Sequence, residues 1–474
     1  MKNFLSNFLG KSEPRLSLAD DEFFEQLRRT EFSRLDDHGH TYLDYTGGNL
    51  YPVSQISTHY GLLRDEVLGN PHSTNPTSQK ATNLVEDSRA KVIEFFNADD
   101  YVCVFTQNAT GALKIVGECY PFCEDSSFVL LSDNHNSVNG IREFCNNKGG
   151  KTTYVPVQYE DLQINEKMLG KALHDNASSE VKLFAFPAQS NVSGTKHDLK
   201  WIKKAQDLGY DVLLDAAAFV PTTKLDLKEV QPEFVAVSFY KIFGYPTGLG
   251  CLLIKKTAFD KLQKPWFAGG TVTLVSVAGQ HRFLAKTYER FEDGTINYLD
   301  IPAIKTGLEF IENIGIDRVN TRIRSLIESL TTELKELKHD NGQTLVKVFG
   351  PDNLSNRGGN IIVNFFDVEG RVFAFEDIEF MANKDKISIR SGCFCNPGLD
   401  EINNCLSNDE IATYFMSRDE GDYHDMITFL GKMRGATRVS VGIPTTQKDI
   451  LKFLDFAKSL RNKHVGGTTE TMTG

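Results

Sequence analysis

The sequence predicts an α/β protein in two parts: a large domain built on a mainly parallel sheet, then a smaller α+β domain. Three observations lead there. Through the first two-thirds of the chain, short apolar runs alternate with stretches of helical spacing. The runs are rich in Val, Leu and Phe, and several lack the polar alternation of a one-sided sheet. That is the pattern of strands covered on both faces. After Ile301 the order changes to two helices, spaced strands and a closing helix, and 474 residues are enough chain for more than one core.

In chain order, a helix is expected around Asp20 to Arg29, and residues 1–40 read as an N-terminal helical segment packing with the smaller domain. The large domain is set at 41–301. Its strands are "YVCVF" (Tyr101–Phe105), "SFVLLS" (Ser127–Ser132), "VKLFAFP" (Val181–Pro187), "DVLLD" (Asp211–Asp215), "FVAVS" (Phe234–Ser238) and "GCLLI" (Gly250–Ile254). Helical stretches lie between them, such as "DLKWIKKAQDLG", closed by Gly209. The smaller domain, 302–462, opens with a helix from Pro302 to Ile314 and the amphipathic "DRVNTRIRSLIESLTTELKELKH". Strands "TLVKVFG", "GNIIVNFF", "KISIR" and "ATRVSVG" follow, then the helix "TQKDILKFLDFAKSLRNK". The polar residues 463–474 are expected to form a disordered tail.

Composition removes several function classes. Lys and Arg total 52 against 63 Asp and Glu, a net charge of −11. Nucleic-acid partners need a basic face to neutralise phosphates, so none is expected. No apolar run approaches the roughly 20 residues that span a bilayer, so no membrane partner is expected either. The opening "MKNFLSNFLGKSEPRL" has its apolar stretch broken by Ser6 and Asn7, which argues against a signal peptide and for a cytoplasmic location. Eight scattered cysteines make no disulfide framework. Only Cys393 and Cys395 in "CFC" are closely spaced, with no second pair to complete a zinc set, so no metal site is predicted.

The chemistry-bearing candidates sit at strand ends, where open α/β sheets place ligands. Lys241 follows a strand in "SFYKIFGYPTGLG"; it is either a surface lysine or a desolvated amine that forms an imine with a carbonyl cofactor. Asp215 ends the run "DVLLD". It reads as a helix N-cap, or as the acid beside a protonated ring nitrogen, a pairing that would offset its burial. The turn "TQNATGALK" puts Ala109 and Thr110 at a helix N-terminus, whose free N–H groups suit an anion, and Ser238 is a further donor to a phosphate. His135 in "SDNHNSVNG" is a loop histidine or a flat ring against a cofactor, and Asn191 before Gly194 is a turn residue or a ring-hydroxyl partner. Taken by their second readings, these are the parts that a pyridoxal phosphate site requires.

In this order the candidates resemble a known family. The stretches "YLDYTGGNLYP", "GNPHS", "FTQNATGALK", "SDNHNSV", "FPAQSNVSG", "VLLDAAAFVPTTKLDL", "VAVSFYKIFGYPTGLG", "RFEDGTINYLDI", "IRSGCFCNPG" and "RVSVG" run from Tyr42 to about Ile450. They resemble class V, aspartate-aminotransferase-like pyridoxal phosphate enzymes (fold type I) of the cysteine desulfurase group. Within that group the chain is most similar to the aminotransferase-like domain of molybdenum cofactor sulfurases.

The resemblance implies a role for each position. Lys241 would carry the cofactor and shuttle protons, Asp215 hold the ring nitrogen, and His135 stack on the ring. Asn191 would contact the ring oxygen beside the substrate. Thr110, Ser238 and the Ala109 backbone would bind phosphate, with the Tyr240 hydroxyl in place of a histidine found in many desulfurases. Ala218 stands where many carry a glutamine. Arg390 would grip the substrate carboxylate. Cys395 would take sulfur from L-cysteine as a persulfide and release alanine, with Cys393 as neighbour or relay and Gly392 and Gly398 letting the loop move. A homodimer is implied, with Thr271 of "FAGGTV" or Thr295 of "FEDGT" reaching a phosphate across the interface. Molybdenum cofactor sulfurases continue into a second, cofactor-binding domain, so the sulfur's destination stays open; an acceptor protein is one. The rival readings are a pyridoxal phosphate lyase, epimerase or aminotransferase without a persulfide, and a non-enzymatic scaffold.

Overall fold

The computed structural model describes residues 18–432 and 434–466. Seven strands form the central sheet: β1 (Tyr101–Thr106), β2 (Ser126–Leu131), β3 (Lys151–Val155), β4 (Val181–Pro187), β5 (Asp211–Asp215), β6 (Phe234–Ser238) and β7 (Gly250–Lys255). Their spatial order is β1-β7-β6-β5-β4-β2-β3. Neighbours from β6 to β3 run parallel, whereas β7 runs against both β1 and β6. The sheet is therefore mainly parallel, as the unbroken apolar runs predict. β7 is reversed because the chain between β6 and β7 is too short for a crossover helix.

Helices cover both faces, and the strand centres are sealed. Phe128 to Leu131, Leu183 to Phe186, Val212 to Leu214 and Phe234 to Val237 have no exposed surface. Each Val, Leu and Phe among them contributes roughly 1.5–3 kcal/mol through burial, which fixes the strand ends as rigid platforms. The turn after β6 is held just as closely. Gly244 has φ +84°, and a Cβ there would lie 2.4 Å from the Tyr51 backbone nitrogen, so only glycine fits.

Two elements had no signature in the sequence, both for want of burial. β3 is an edge strand with sequence "KTTYV", mostly outside the core, so no apolar run marks it. A hairpin of β8 (Val272–Ser276) and β9 (His281–Leu284) stands almost wholly in solvent.

The second sheet holds β10 (Val346–Val348), β11 (Asn360–Phe365), β12 (Arg390–Gly392) and β13 (Ala436–Ser440), in the antiparallel order β10-β11-β13-β12. The stretch "KISIR" divides. Ile387–Ser388 pairs in parallel with Thr41–Tyr42, and only Arg390 onward joins the second sheet. The helices Pro302–Ile314, Ile316–Glu336 and Gln447–Ser459 lie at the predicted places. The first helix, Leu18–Glu31, sends buried Arg28 to the Pro444 carbonyl (2.7 Å) and to Asp449 (2.7 Å). Of the expected tail, residues 463–466 are described. Val465 donates its N–H to Asp367 (3.1 Å) and packs on the core. The rest of the tail, and residues 1–17, lie outside the described residues. Among the described residues no helix is long and apolar enough to cross a membrane.

Candidate active site

The carboxyl ends of β2, β4, β5 and β6, with the helix Ala109–Cys119, enclose a cavity of about 110 Å³. Ala109, Thr110, His135, Asn191, Asp215, Ser238, Tyr240 and Lys241 all line it, and so does Ala218. Asp215 ends β5 with its side chain buried, and among the described residues its one side-chain hydrogen bond comes from the Ala217 N–H (3.0 Å). A buried carboxylate with a single neutral donor is under-satisfied. It fits a group that brings its own proton, as a pyridinium nitrogen does. Lys241 follows β6, and burial pushes its amine below the usual lysine range, partly opposed by Asp215. A neutral amine is the form that attacks a carbonyl.

The other walls are set by local bonding. His135 caps the short helix Asn136–Asn139, its Nδ1 accepting from the Ser137 N–H (3.1 Å). Burial lowers the His135 pKa, against the pull of Asp215, and so favours the neutral ring. Next to it Asn108 caps the helix Ala109–Cys119 through Gly111 N–H (3.0 Å). There the Ala109 N–H meets Ser238 Oγ at 2.8 Å, and Thr110 Oγ1 meets Ser137 Oγ at 2.7 Å. A helix N-terminus with three hydroxyls around it suits a phosphate. Tyr240 is half-buried, and burial raises its phenol pKa, so it presents a hydroxyl. These residues fit pyridoxal phosphate: acid, amine, ring face and anion cradle share one cavity.

The cysteine loop sits against this cavity. Cys395 is exposed, and both Phe394 (φ +56°) and Cys395 (φ +55°) adopt left-handed backbone. The Cys395 carbonyl accepts from Asn136 N–H (2.7 Å), and Asn191 Nδ2 donates to the Phe394 carbonyl (2.8 Å). Cys393 is half-buried, and desolvation raises its thiol pKa. Gly398 serves close approach: a Cβ there would meet the Ser132 carbonyl at 2.4 Å.

The family model described as Aminotransferase class-V matches residues 41–453. The chain belongs to the class V aminotransferase family. Among curated relatives, the molybdenum cofactor sulfurase of Bos taurus is 36% identical over 466 residues, covering 93% of this chain and 52% of that protein. That of Arabidopsis thaliana is 34% identical over 476 residues, 91% and 57%. The chain thus spans about half the length of the curated relatives it matches. Among solved structures, the apo cysteine desulfurase from Thermococcus onnurineus NA1 superposes with a TM-score of 0.75 at 25% identity, covering 92% of this chain and 97% of that one.

Within this class V aminotransferase chain, three predicted residues stand apart from the cavity floor. Arg390 on β12 is bonded to Asp44 (2.9 and 2.7 Å), and its side chain is 54% exposed. Thr271 is buried, with its hydroxyl spent on the Ala268 carbonyl (2.9 Å). Thr295 is exposed, with Asn70 at 3.5 Å. Neither threonine lines the cavity of its own subunit.

A second arginine, without a role expected from the sequence, stands beside Arg390. Arg438, in the quoted "RVSVG", is buried on β13 and donates to Asp44 Oδ1 (2.8 Å) and the Asn191 carbonyl (2.8 Å). It also lies 4.9 Å from the Phe394 ring centre, and its buried Nε has no hydrogen-bond partner among the described residues. Its charge helps hold the Lys241 amine down. The signal was available: an arginine inside an otherwise buried strand is costly without a partner.

Proposed function

We propose that this chain is a pyridoxal-phosphate-dependent, cysteine desulfurase-like sulfurtransferase that takes sulfur from L-cysteine and holds it as a persulfide on Cys395. The observation that carries this reading is the docking of an exposed cysteine loop against a cavity that holds Lys241, Asp215 and His135. A lyase, epimerase or aminotransferase has no use for that loop.

Lys241 would hold the cofactor and Asp215 its ring nitrogen, with His135 against the ring. When bound, the cofactor withdraws electrons from the substrate α-carbon. Arg438, whose Nε has no partner among the described residues, forms with Arg390 a cationic corner for the substrate carboxylate. Lys241 would also move the α-proton. The Cys395 thiolate attacks the substrate sulfur, the carbon–sulfur bond breaks, and the carbon fragment leaves as alanine with the protons given up by the thiol and Lys241. The net change is cysteine and a thiol to alanine and a persulfide, and an acceptor protein then collects the sulfur. The reduced Cys395 this needs suits the cytoplasm.

The working form is a homodimer. Leu274, Val277 and Phe283 on the β8–β9 hairpin are 61%, 92% and 66% exposed, near exposed Trp266 and Phe267, a patch that a second copy would cover. Thr295 is then the better donor across the interface, because the Thr271 hydroxyl is already used. Sedimentation at micromolar concentration checks the dimer. For the reaction, the purified protein is given L-cysteine and alanine is measured for wild type and Cys395→Ala. Alanine from wild type alone supports the reading; equal alanine from both refutes the persulfide route.

A further inference from the structure

The cysteine loop is held by a buried acid that the proposed chemistry does not use. Asp133, in the turn after β2, has no exposed surface. Its Oδ1 accepts from Ser190 Oγ (2.8 Å) and from Asn396 Nδ2 (2.7 Å), and its Oδ2 meets His197 Nε2 at 3.1 Å. Ser190 and His197 belong to the segment after β4, next to the large sheet, whereas Asn396 directly follows Cys395. One carboxylate therefore ties the loop to the rigid body. Asn396 has further duties. It caps the helix Pro397–Asn403 through the Leu399 N–H (3.3 Å) and donates to Asn191 Oδ1 (3.2 Å).

The docked loop opposes a local cost. Phe394 and Cys395 both carry a Cβ in left-handed backbone, a conformation that such residues resist. The loop has this shape only while outside bonds hold it. The strongest of these engages a charge, and charge-assisted hydrogen bonds exceed neutral ones. Breaking it leaves Asp133 with Ser190 and His197, so release strands no buried charge. The bond is strong enough to dock the loop, and it is cheap enough to break.

We propose that Asp133 is a positioning residue, a latch that docks the cysteine loop through Asn396 for sulfur capture and releases it so that Cys395 can present its sulfur to an acceptor. The role of the motion rests on the desulfurase reading; the latch itself does not. Asp133 touches neither substrate nor cofactor and acts through Asn396.

The test uses the full-length, cofactor-loaded protein and Asn396→Asp, which keeps an oxygen for the Leu399 N–H but turns a second carboxylate on Asp133. Amide hydrogen exchange at Asn136, whose N–H is bonded to Cys395, is expected to speed by about tenfold or more, the order set by losing a bond to a charged group. The β5 and β6 amides are expected to stay at the wild-type rate. With L-cysteine, kcat falls by a similar factor while KM stays within about twofold of wild type. The swap Asp133→Asn with Asn396→Asp rebuilds an amide–carboxylate bond and restores slow exchange. Should the charged variant misfold, Asn396→Ser, too short to reach Asp133, gives the same local loosening. Unchanged exchange at Asn136 in folded Asn396→Asp or Asn396→Ser overturns the latch, and so does a folded swap that exchanges as fast as the single variant. Normal latch behaviour with no alanine from wild type instead overturns the desulfurase reading and leaves the latch standing.

Discussion

The cavity floor and the cysteine loop hold their reactive groups in opposite ways. Asp215, Ser238 and Lys241 sit at the ends of β5 and β6, strands buried from Val212 to Asp215 and from Phe234 to Ser238, so the backbone beneath them has nowhere to go. Cys395 sits exposed, on left-handed backbone, in a loop tied down by the side chains of Asn191 and Asn396 and one N–H of Asn136. The difference follows from what each must do. Groups that bind a cofactor gain from a rigid platform, because misplacement by an ångström costs rate. A group that must collect sulfur in one place and deliver it in another gains from bonds that break singly.

Changes at the floor should remove chemistry and leave the loop alone, and each offers a way to break this contrast. Lys241→Ala has the largest expected effect, a loss of alanine formation of roughly a thousandfold or more, with Asn136 exchange unchanged; faster exchange there would blur the division between floor and loop. Asp215→Asn is next, about a hundredfold or more in kcat, with weaker cofactor retention in a dialysis assay. Gly244→Ala probes the platform under Lys241. The clash with the Tyr51 backbone should cost about 3 kcal/mol in a urea titration, and normal stability would show that the turn yields.

The smallest effect concerns His135. Its folded-state pKa is lowered by burial, so between about pH 6.5 and that lower value the unfolded chain binds more protons than the folded one. Stability is then full above about pH 6.5 and declines as pH falls through this window. His135→Asn keeps an acceptor for the Ser137 N–H and should flatten that part of the curve. An unchanged slope would place the titrating group elsewhere.

The same contrast explains what the sequence disclosed. β4, β5 and β6 fall on the predicted residues because strands buried on both faces must be apolar throughout. β3 and the β8–β9 hairpin escaped because edge and solvent-facing strands carry no such obligation. Lys241, Asp215 and His135 were legible as chemistry set at strand ends. Arg438 was visible as a charge in a buried strand, yet its partner Asp44 lies 394 residues away, and nothing local names it. The Asp133 network is hidden for the same reason, since its loop partner Asn396 is 263 positions along the chain. Motifs show which residue types are present; which acid holds which loop is decided by the fold.

The most direct test of the central claim is the mass of the peptides carrying Cys393 and Cys395 after a single turnover, with alanine counted in the same sample. One added sulfur on Cys395 for each alanine formed is the predicted result. Alanine with sulfur on neither cysteine would contradict it, as would an equal yield of alanine when Cys395 is replaced by Ala.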